Sequence, residues 1–499
     1  MNILGLVDVS DTLLIIVGVL AALYIYLTWN FGYWSAQGIK GPTPFPIIGT
    51  FWPSLSKGMI NGDTMLYERY KKDKVYGLFD GSTPNLAIAD GDLLKTVLVK
   101  EFSSFQDRRK LPSVLGPTVS NMLTELTGEE WKKTRSIMSQ TFTSGKIKRM
   151  IDSLNLYTKT LLEKMGERAD ADEMFEFKDL VGKCALDMVA AVGFGIDAQV
   201  QNNPESEFVP HTAEFFKFGV VRGTALLIAI VVPVLAPLIV KSGIGAIPDK
   251  TAAFFKNIMA QAMANRKADS NKHNDFLSLI LKAQDAEDES KRLPDDVILA
   301  NAIVFILAGY DTVSNTVSWA AYEMALHQDI QEKVYEEIME VTGAEDDIKY
   351  EMLPKMTYLE SVIEESQRLF PGAPRIERQC TETITIEGIT IPKDAIITIP
   401  VYGIHHDADI YPDPEKFIPE RFSAEEKAKR NPYYFQPFGL GPRSCIAMRL
   451  AQTEVKLCLA KMIQKLRVLP CEKTEDPIPL VQTGQMHAKN GLYLKVQRR

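Results

Sequence analysis

One cysteine in this chain stands in surroundings that packing does not require. In FQPFGLGPRSCIAMRLA, residues 435–451, Cys445 follows Gly439, Gly441, Pro442 and Arg443 and leads into an apolar series of helical period. Glycines let backbone N–H groups approach the sulfur, and a helix start adds the positive end of its dipole. With Arg443 two residues away, each of these favours a thiolate. A lone thiolate has three uses: nucleophile, redox sensor, or axial ligand of a haem iron. A nucleophile needs a base, and none of the six histidines lies in a recognisable pairing motif. An axial ligand needs a flat cofactor seat, which Phe438 and the glycines can supply, and cations for two propionates.

A second chemical residue lies in the apolar run DDVILANAIVFILAGYDTVSNTVSWAAYEMALHQ, residues 295–328. Between Asp296 and Glu323 its only charge is Asp311, beside Thr312 and two residues after Gly309. Pro294 and the two aspartates give the run a helix start, and at 1.5 Å per residue it spans about 50 Å. A helix-interior glycine costs about 1 kcal/mol relative to alanine. Two readings stand open. Either the turn at AGYDT is locally opened and presents polar groups to a dry cavity, or Asp311 faces solvent and Thr312 bonds back to its own helix.

The elements that must position these groups belong to a globular chain of 499 residues, 46% hydrophobic and 24% charged. The net charge of −8 argues against nucleic acid as a partner. Five cysteines without a C-x-x-C pair suit a reducing compartment and fit neither a disulfide framework nor a four-ligand zinc site. Residues 12–29, TLLIIVGVLAALYIYLTW, carry no charge and approach the roughly 20 residues a membrane-spanning helix needs. Asp8 and Asp11 stand where a signal peptide wants basic residues, and Tyr24, Tyr26, Trp29, Tyr33 and Trp34 supply interfacial aromatics. The expectation is an anchor over 1–34, a proline-rich linker over 35–50 and one catalytic domain over 51–499, mainly α with small β-sheets near 75–90 and 382–400. A second apolar run, 223–240, is broken by Pro233 and Pro237, and the reading favoured is short segments resting on the membrane surface.

PFGLGPRSC followed by IA resembles the haem-binding loop of the cytochrome P450 superfamily, F-x-x-G-x-R-x-C-x-G, with Phe438, Gly441, Arg443 and Cys445 in register and Ala447 in place of the last glycine. AGYDT resembles the oxygen-activation motif, ESQR (365–368) its E-x-x-R, PERF (419–422) the segment that follows, and WKKTR (131–135) its W-x-x-x-R. TFTSGKIK and GPRSCIAMR look most like the animal microsomal family-3 enzymes, which oxidise bulky drugs and steroids.

The resemblance implies the cytochrome P450 fold, with one large haem domain behind an N-terminal transmembrane helix in the endoplasmic reticulum and the catalytic domain in the cytosol. It implies a haem b held by Cys445, with Trp131, Arg135, Arg108, Arg378 and Arg443 as propionate donors and Phe438 at the seat; Arg109 is the alternative to Arg108. Thr127, with Glu130 three residues later, is expected to cap the helix carrying Trp131 and Arg135. Thr312 and Asp311 become the catalytic alcohol and acid. Glu365, Arg368 and Arg421 become a structural ion-pair network. Phe105, Phe305, Leu307, Ala308, Ala373, Ile376, Gly484 and Gln485 are the expected substrate lining. Lys132, Lys133, Lys146 and Lys148 are the expected docking patch for NADPH–cytochrome P450 reductase, with cytochrome b5 a second donor. The activity implied is insertion of one oxygen atom from O2 into a bulky apolar substrate. A haem-thiolate isomerase or dehydratase has less need of the Asp311–Thr312 pair, and a non-catalytic haem sensor would consume no NADPH through a reductase.

Overall fold

Apolar residues at helical spacing run through most of the chain, and the computed structural model is accordingly mainly helical with small sheets. It describes residues 2–499 apart from 4–6, 9–10, 111–115, 217–219, 243–247, 269–275, 279–280, 282–291 and 483. The N-terminal helix α1 (Asp11–Thr28) leaves Ile15, Val19, Leu20 and Leu23 exposed. Trp34 departs from the interfacial aromatic group: it is 2% exposed, and its indole N–H donates to the Leu78 carbonyl at 3.0 Å. The linker is likewise held to the body, where the Gly77 N–H donates to the Lys40 carbonyl.

Four strands form the sheet beside the site, in the order β1–β2–β4–β3: β1 Val75–Asp80, β2 Thr83–Ile88, β3 Ile376–Gln379 and β4 Ile396–Ile399. β1 and β2 are antiparallel across a two-residue turn, β2 runs parallel to β4, and β3 returns antiparallel with Ile376 opposite Ile399. A smaller antiparallel sheet joins Leu466–Leu469, Tyr493–Arg498 and Phe175–Glu176, bringing the C-terminal strand to the start of helix α3 (Phe177–Phe194).

The long apolar run is one helix, α4 (Asp295–Leu326), with Pro294 at its N-cap and Asp295 and Asp296 in its first turn. Among the described residues it is the one helix long and apolar enough to cross a membrane, yet it lies mostly inside the protein and packs along α3. Gly309 has its reason in that packing. A Cβ there would come within 2.8 Å of Val189 on α3, and one at Gly182 of α3 within 2.9 Å of Tyr310. The glycines let two helices cross closely. The helix is not opened at AGYDT: the Thr312 hydroxyl donates to the Ala308 carbonyl at 2.8 Å, and the turn stays α-helical.

Candidate functional site

The cysteine loop takes its shape from two glycines in the left-handed region, Gly439 at φ +70° and Gly441 at φ +71°. A side chain at 441 would also run into the Leu98 carbonyl, so both backbone conformation and space call for glycine there. The Cys445 N–H donates to the Phe438 carbonyl at 2.8 Å and closes the loop. Helix α6 (Met448–Lys465) starts three residues after Cys445, with Ala447 at its N-cap, so the cysteine precedes the helix rather than opening it.

The side chain of Cys445 is open, yet it lies deep enough for burial to push its thiol upward. Both statements hold when a group faces an interior space instead of bulk water. Arg108 has the same character, open but strongly desolvated. The thiolate inferred from the glycines and the helix start is therefore not favoured by the loop alone. Burial outweighs the Ala447 N–H, Arg135 and Arg108, which pull the other way. A thiol so shifted is a poor nucleophile and a poor redox sensor, whereas metal coordination deprotonates it outright. The described histidines are engaged elsewhere: His211 with Thr251, His327 with Glu323, His405 with Gln436, His406 with Tyr402 and His487 with Lys178. His273 lies outside the described residues.

Four guanidinium groups reach this region from four different elements. Arg135 lies one turn after Trp131 on helix α2 (Gly128–Ser139). Thr127 occupies the N-cap but makes no side-chain cap; instead Asp107 accepts from the Gly128 N–H at 2.9 Å. Arg108 follows Asp107 in the chain, and neither Arg108 nor Arg135 makes a hydrogen bond or ion pair among the described residues. Arg109, the alternative to Arg108, is committed to Asp80 and to Glu377 at 2.7 Å. Arg378 on β3 is 2% exposed and its Nε has no partner. Burial, with Arg108 and Arg443 alongside, lowers it to about 9. Arg443 differs: its Nε donates to the Gln106 carbonyl at 2.7 Å and its Nη2 to the Leu126 carbonyl at 2.6 Å. It stacks 4.2 Å over the Trp131 ring and staples the cysteine loop to the segment before α2.

These groups fit a flat dianionic cofactor bound through one thiolate. Arg378 makes one bond, from Nη1 to the Glu377 carbonyl at 2.8 Å, and its unmatched buried Nε and the two unpaired guanidinium groups are costly unless carboxylates meet them. No cluster of three or more His, Cys, Asp or Glu residues that would hold a bare metal ion occurs among the described residues. On α4, Ala308 and Thr312 are open, one turn apart, where Leu307, Asp311 and Val313 around them are buried. Ile446, next to the cysteine, packs in the apolar cluster that includes Phe305 and Leu307. Asp311 turns from the open face; Lys178 on α3 donates to its Oδ1 at 2.8 Å and Asn315 to its Oδ2 at 3.0 Å.

Among the expected lining residues, Ala308, Ala373 and Gly484 are open and Phe305, Ile376 and Gln485 half-buried. Ile376 approaches Gly439 of the cysteine loop. Phe105 and Leu307 are buried inside apolar clusters. Lys132 is paired with Glu129 at 2.6 Å and Lys148 with Glu351, so two of the four basic patch residues have acidic neighbours. A surface cleft of about 510 Å³ bounded by Lys72, Asp90, Arg430 and Tyr434 holds none of the expected cofactor or catalytic residues.

Sequence reasoning missed Lys178 and His487, whose only signal is their place in space. It also missed His405. That ring is held well below its ordinary value by burial, with His406 and Arg368 adding to the effect. Neutral, it donates from Nδ1 to the Arg368 carbonyl and accepts the Gln436 N–H at Nε2, joining the E-x-x-R helix to the cysteine loop.

The cytochrome P450 family model matches residues 39–496. Cytochrome P450 3A9 of Rattus norvegicus is 36% identical over 98% of this chain and 97% of its own length. Cytochrome P450 3A7 of Homo sapiens is 37% identical over the same shares, and cytochrome P450 3A27 of Oncorhynchus mykiss 36% identical over 98% and 95%.

Proposed function

The chain belongs to the cytochrome P450 family of haem-thiolate monooxygenases, and from that premise we propose that Cys445 is the thiolate ligand of its haem b. The observation that carries this assignment is a deep thiol open to an interior space, with Arg108, Arg135 and Arg378 short of partners around it. Arg108, Arg135, Arg378 and the Trp131 indole hold the two propionates, Phe438 and the glycines form the seat, and Arg443 fixes the loop. The haem supplies O2 activation when bound, and its thiolate favours O–O cleavage. Thr312 holds a hydroxyl at the open face of α4, and Asp311 beside it carries protons inward from the Lys178 side. The buried surroundings of this pair limit bulk water.

The substrate is a bulky apolar molecule, xenobiotic or steroid-like, received by Phe305, Ala308, Ala373, Ile376, Gly484 and Gln485, with the buried Phe105 and Leu307 backing the lining. Electrons come from NADPH through NADPH–cytochrome P450 reductase, with cytochrome b5 as a second donor, docking on Lys132, Lys133, Lys146 and Lys148. Helix α1 anchors the enzyme in the endoplasmic reticulum membrane with its catalytic domain in the cytosol. The exposed Val221, Ile228, Val234 and Leu238 support a second contact with the lipid surface. Loss of detergent-sensitive membrane association on deleting α1 alone would sink that second contact.

The test of the ligand is the carbon monoxide difference spectrum of the reduced protein, wild type and Cys445→His. A strongly red-shifted Soret band in the wild type, absent from the variant, is the expected result. A folded, haem-loaded wild type without that band overturns the assignment.

A further inference from the structure

Behind Thr312, side chains from three separate elements meet: Asp311 on α4, Lys178 on α3 and His487 on the C-terminal segment. Lys178 Nζ, at the start of α3, lies 2.8 Å from Asp311 Oδ1 and 2.9 Å from His487 Nδ1. His487 Nε2 lies 3.2 Å from Gln485 Oε1 and 3.6 Å from Asp311 Oδ2. Asp311 is almost wholly buried at 3%, whereas the Lys178 and His487 side chains keep 23% and 25% of their surface open. The acid therefore meets water through these two neighbours. A lysine ammonium only donates, so Nδ1 is the acceptor and the hydrogen of the neutral ring is on Nε2, toward Gln485 and Asp311.

We propose that His487 is a positioning residue for Asp311, its protonation deciding whether Lys178 or the imidazole holds the acid. The proposal rests on reading Asp311 and Thr312 as the proton-delivering pair. In the neutral ring, Nδ1 and Asp311 hold Lys178 between them. A proton taken from solvent at Nδ1 turns that acceptor into a donor facing an ammonium. Lys178 then loses one partner and is repelled by the new charge. The imidazolium Nε2–H, already near the Oδ2 that Asn315 also holds, takes over the carboxylate, and Asp311 passes from Lys178 to His487. The only bond made is N–H on the ring. The charged groups facing His487 are Lys178 from α3 and Asp311 from α4; Glu176 and Asp179, at the start of α3, act on the neighbouring Tyr310.

Geometry and electrostatics agree on the working range. Burial and Lys178 hold the His487 imidazole below its ordinary value, while Asp311 pulls it up. Its titration therefore falls on the acid side of neutrality. Gln485, which shares Nε2, belongs to the proposed substrate lining. A substrate that engages the Gln485 amide releases Nε2 toward Asp311, so occupancy favours the same shift as acid.

Two measurements on the full-length holoenzyme test this. The first is the fraction of consumed NADPH that appears as product rather than peroxide, followed from roughly pH 5 to 8 in wild type, His487→Gln and Lys178→Gln. In wild type the fraction rises as pH falls through the imidazole titration. His487→Gln loses that step with haem content intact, and Lys178→Gln holds the fraction at its low-pH level throughout, because the side chain to be displaced is gone. Retention of the wild-type step in His487→Gln overturns the proposal. The second is the NMR titration of His487 in the reduced carbon monoxide form, a readout independent of turnover. Its midpoint rises in Lys178→Gln and falls in Asp311→Asn. Midpoints unmoved in both variants overturn the contact itself. Shifted midpoints with no pH step in the product fraction of the wild type support the contact and sink the reading of Asp311 and Thr312 as the proton-delivering pair instead.

Discussion

Two of the buried charge clusters among the described residues are built on opposite principles. In the first, Glu365 and Arg368 on helix α5 (Thr357–Leu369) are 0% exposed and form a two-pronged pair, at 2.7 Å and 2.9 Å. Arg421 adds a contact to Glu365 at 3.3 Å, the Ile418 N–H donates to the same carboxylate, and Arg368 also donates to the His405 and Lys416 carbonyls. The chain itself answers every charge. In the second, Arg108 and Arg135 act on Cys445, Arg378 lies beside Arg108 and Arg443, and the buried Arg378 Nε is left without a partner. Here the chain leaves charge for a bound group to answer. The lesson is that matched buried charge holds the fold, while unmatched buried charge marks where something else binds.

The largest expected effect is at the matched cluster. Glu365→Ala strands two guanidinium groups and costs about 3–5 kcal/mol, read as lost folded haemoprotein in denaturant titration. A variant of full stability and haem content would break the comparison. At the unmatched cluster the sign reverses for the haem-free protein. Arg378→Leu removes a buried Nε without a partner, offset in part by loss of the bond to the Glu377 carbonyl, and stabilises the haem-free chain by about 1 kcal/mol, while haem is lost faster on dilution. Destabilisation of the haem-free form would mean that Arg378 is answered by the chain after all.

Glu323 sharpens the boundary between the two. On α4 beside the matched cluster, it is raised to about 8, by burial first and then by Glu365 and Asp476. Because the folded state binds this proton more tightly than the unfolded state, stability falls as pH rises from the ordinary carboxylate range toward 8. Glu323→Gln removes that contribution, at most about 1.4 kcal/mol per pH unit, measurable as a flatter stability profile. An unchanged profile would show Glu323 to be ionised and paired. The smallest effect on stability is at Thr312→Ala, within about 0.5 kcal/mol. Haem is kept and NADPH is diverted to peroxide; unchanged coupling would remove Thr312 from the proposed proton path.

Much of the fold class and the short-range part of the site could be read before any coordinates, because their signals are local. Helical periodicity gave α4, the break at Pro294 gave its start, and the glycines around Cys445 marked a loop in which the backbone can approach the sulfur. What failed was local reading applied to a long-range cause. Gly309 left two readings open, one of them a helix opened at that point, but α3 crosses there and needs the room. Thr127 followed by Glu130 looked like a cap, but the Thr127 side chain makes no cap bond, and Asp107 from the preceding loop holds the neighbouring Gly128 N–H.

By itself, then, the sequence determined which residues are able to do chemistry: a lone cysteine among glycines, an acid beside an alcohol in an apolar helix, and paired acid and arginine one helical turn apart. Spacing along a helix or a tight loop is a property of the backbone, so these are visible in one dimension. Tertiary structure alone decided that Arg109 is spent on Asp80 and Glu377 while Arg108 is left unpaired. It also decided that His405 joins α5 to the cysteine loop, and that Lys178 and His487 close around Asp311 from 133 positions before it in one case and from the C-terminal segment in the other. Buried charge is costly wherever it lies, and which partner removes that cost depends on distance in space, which the order of residues does not contain.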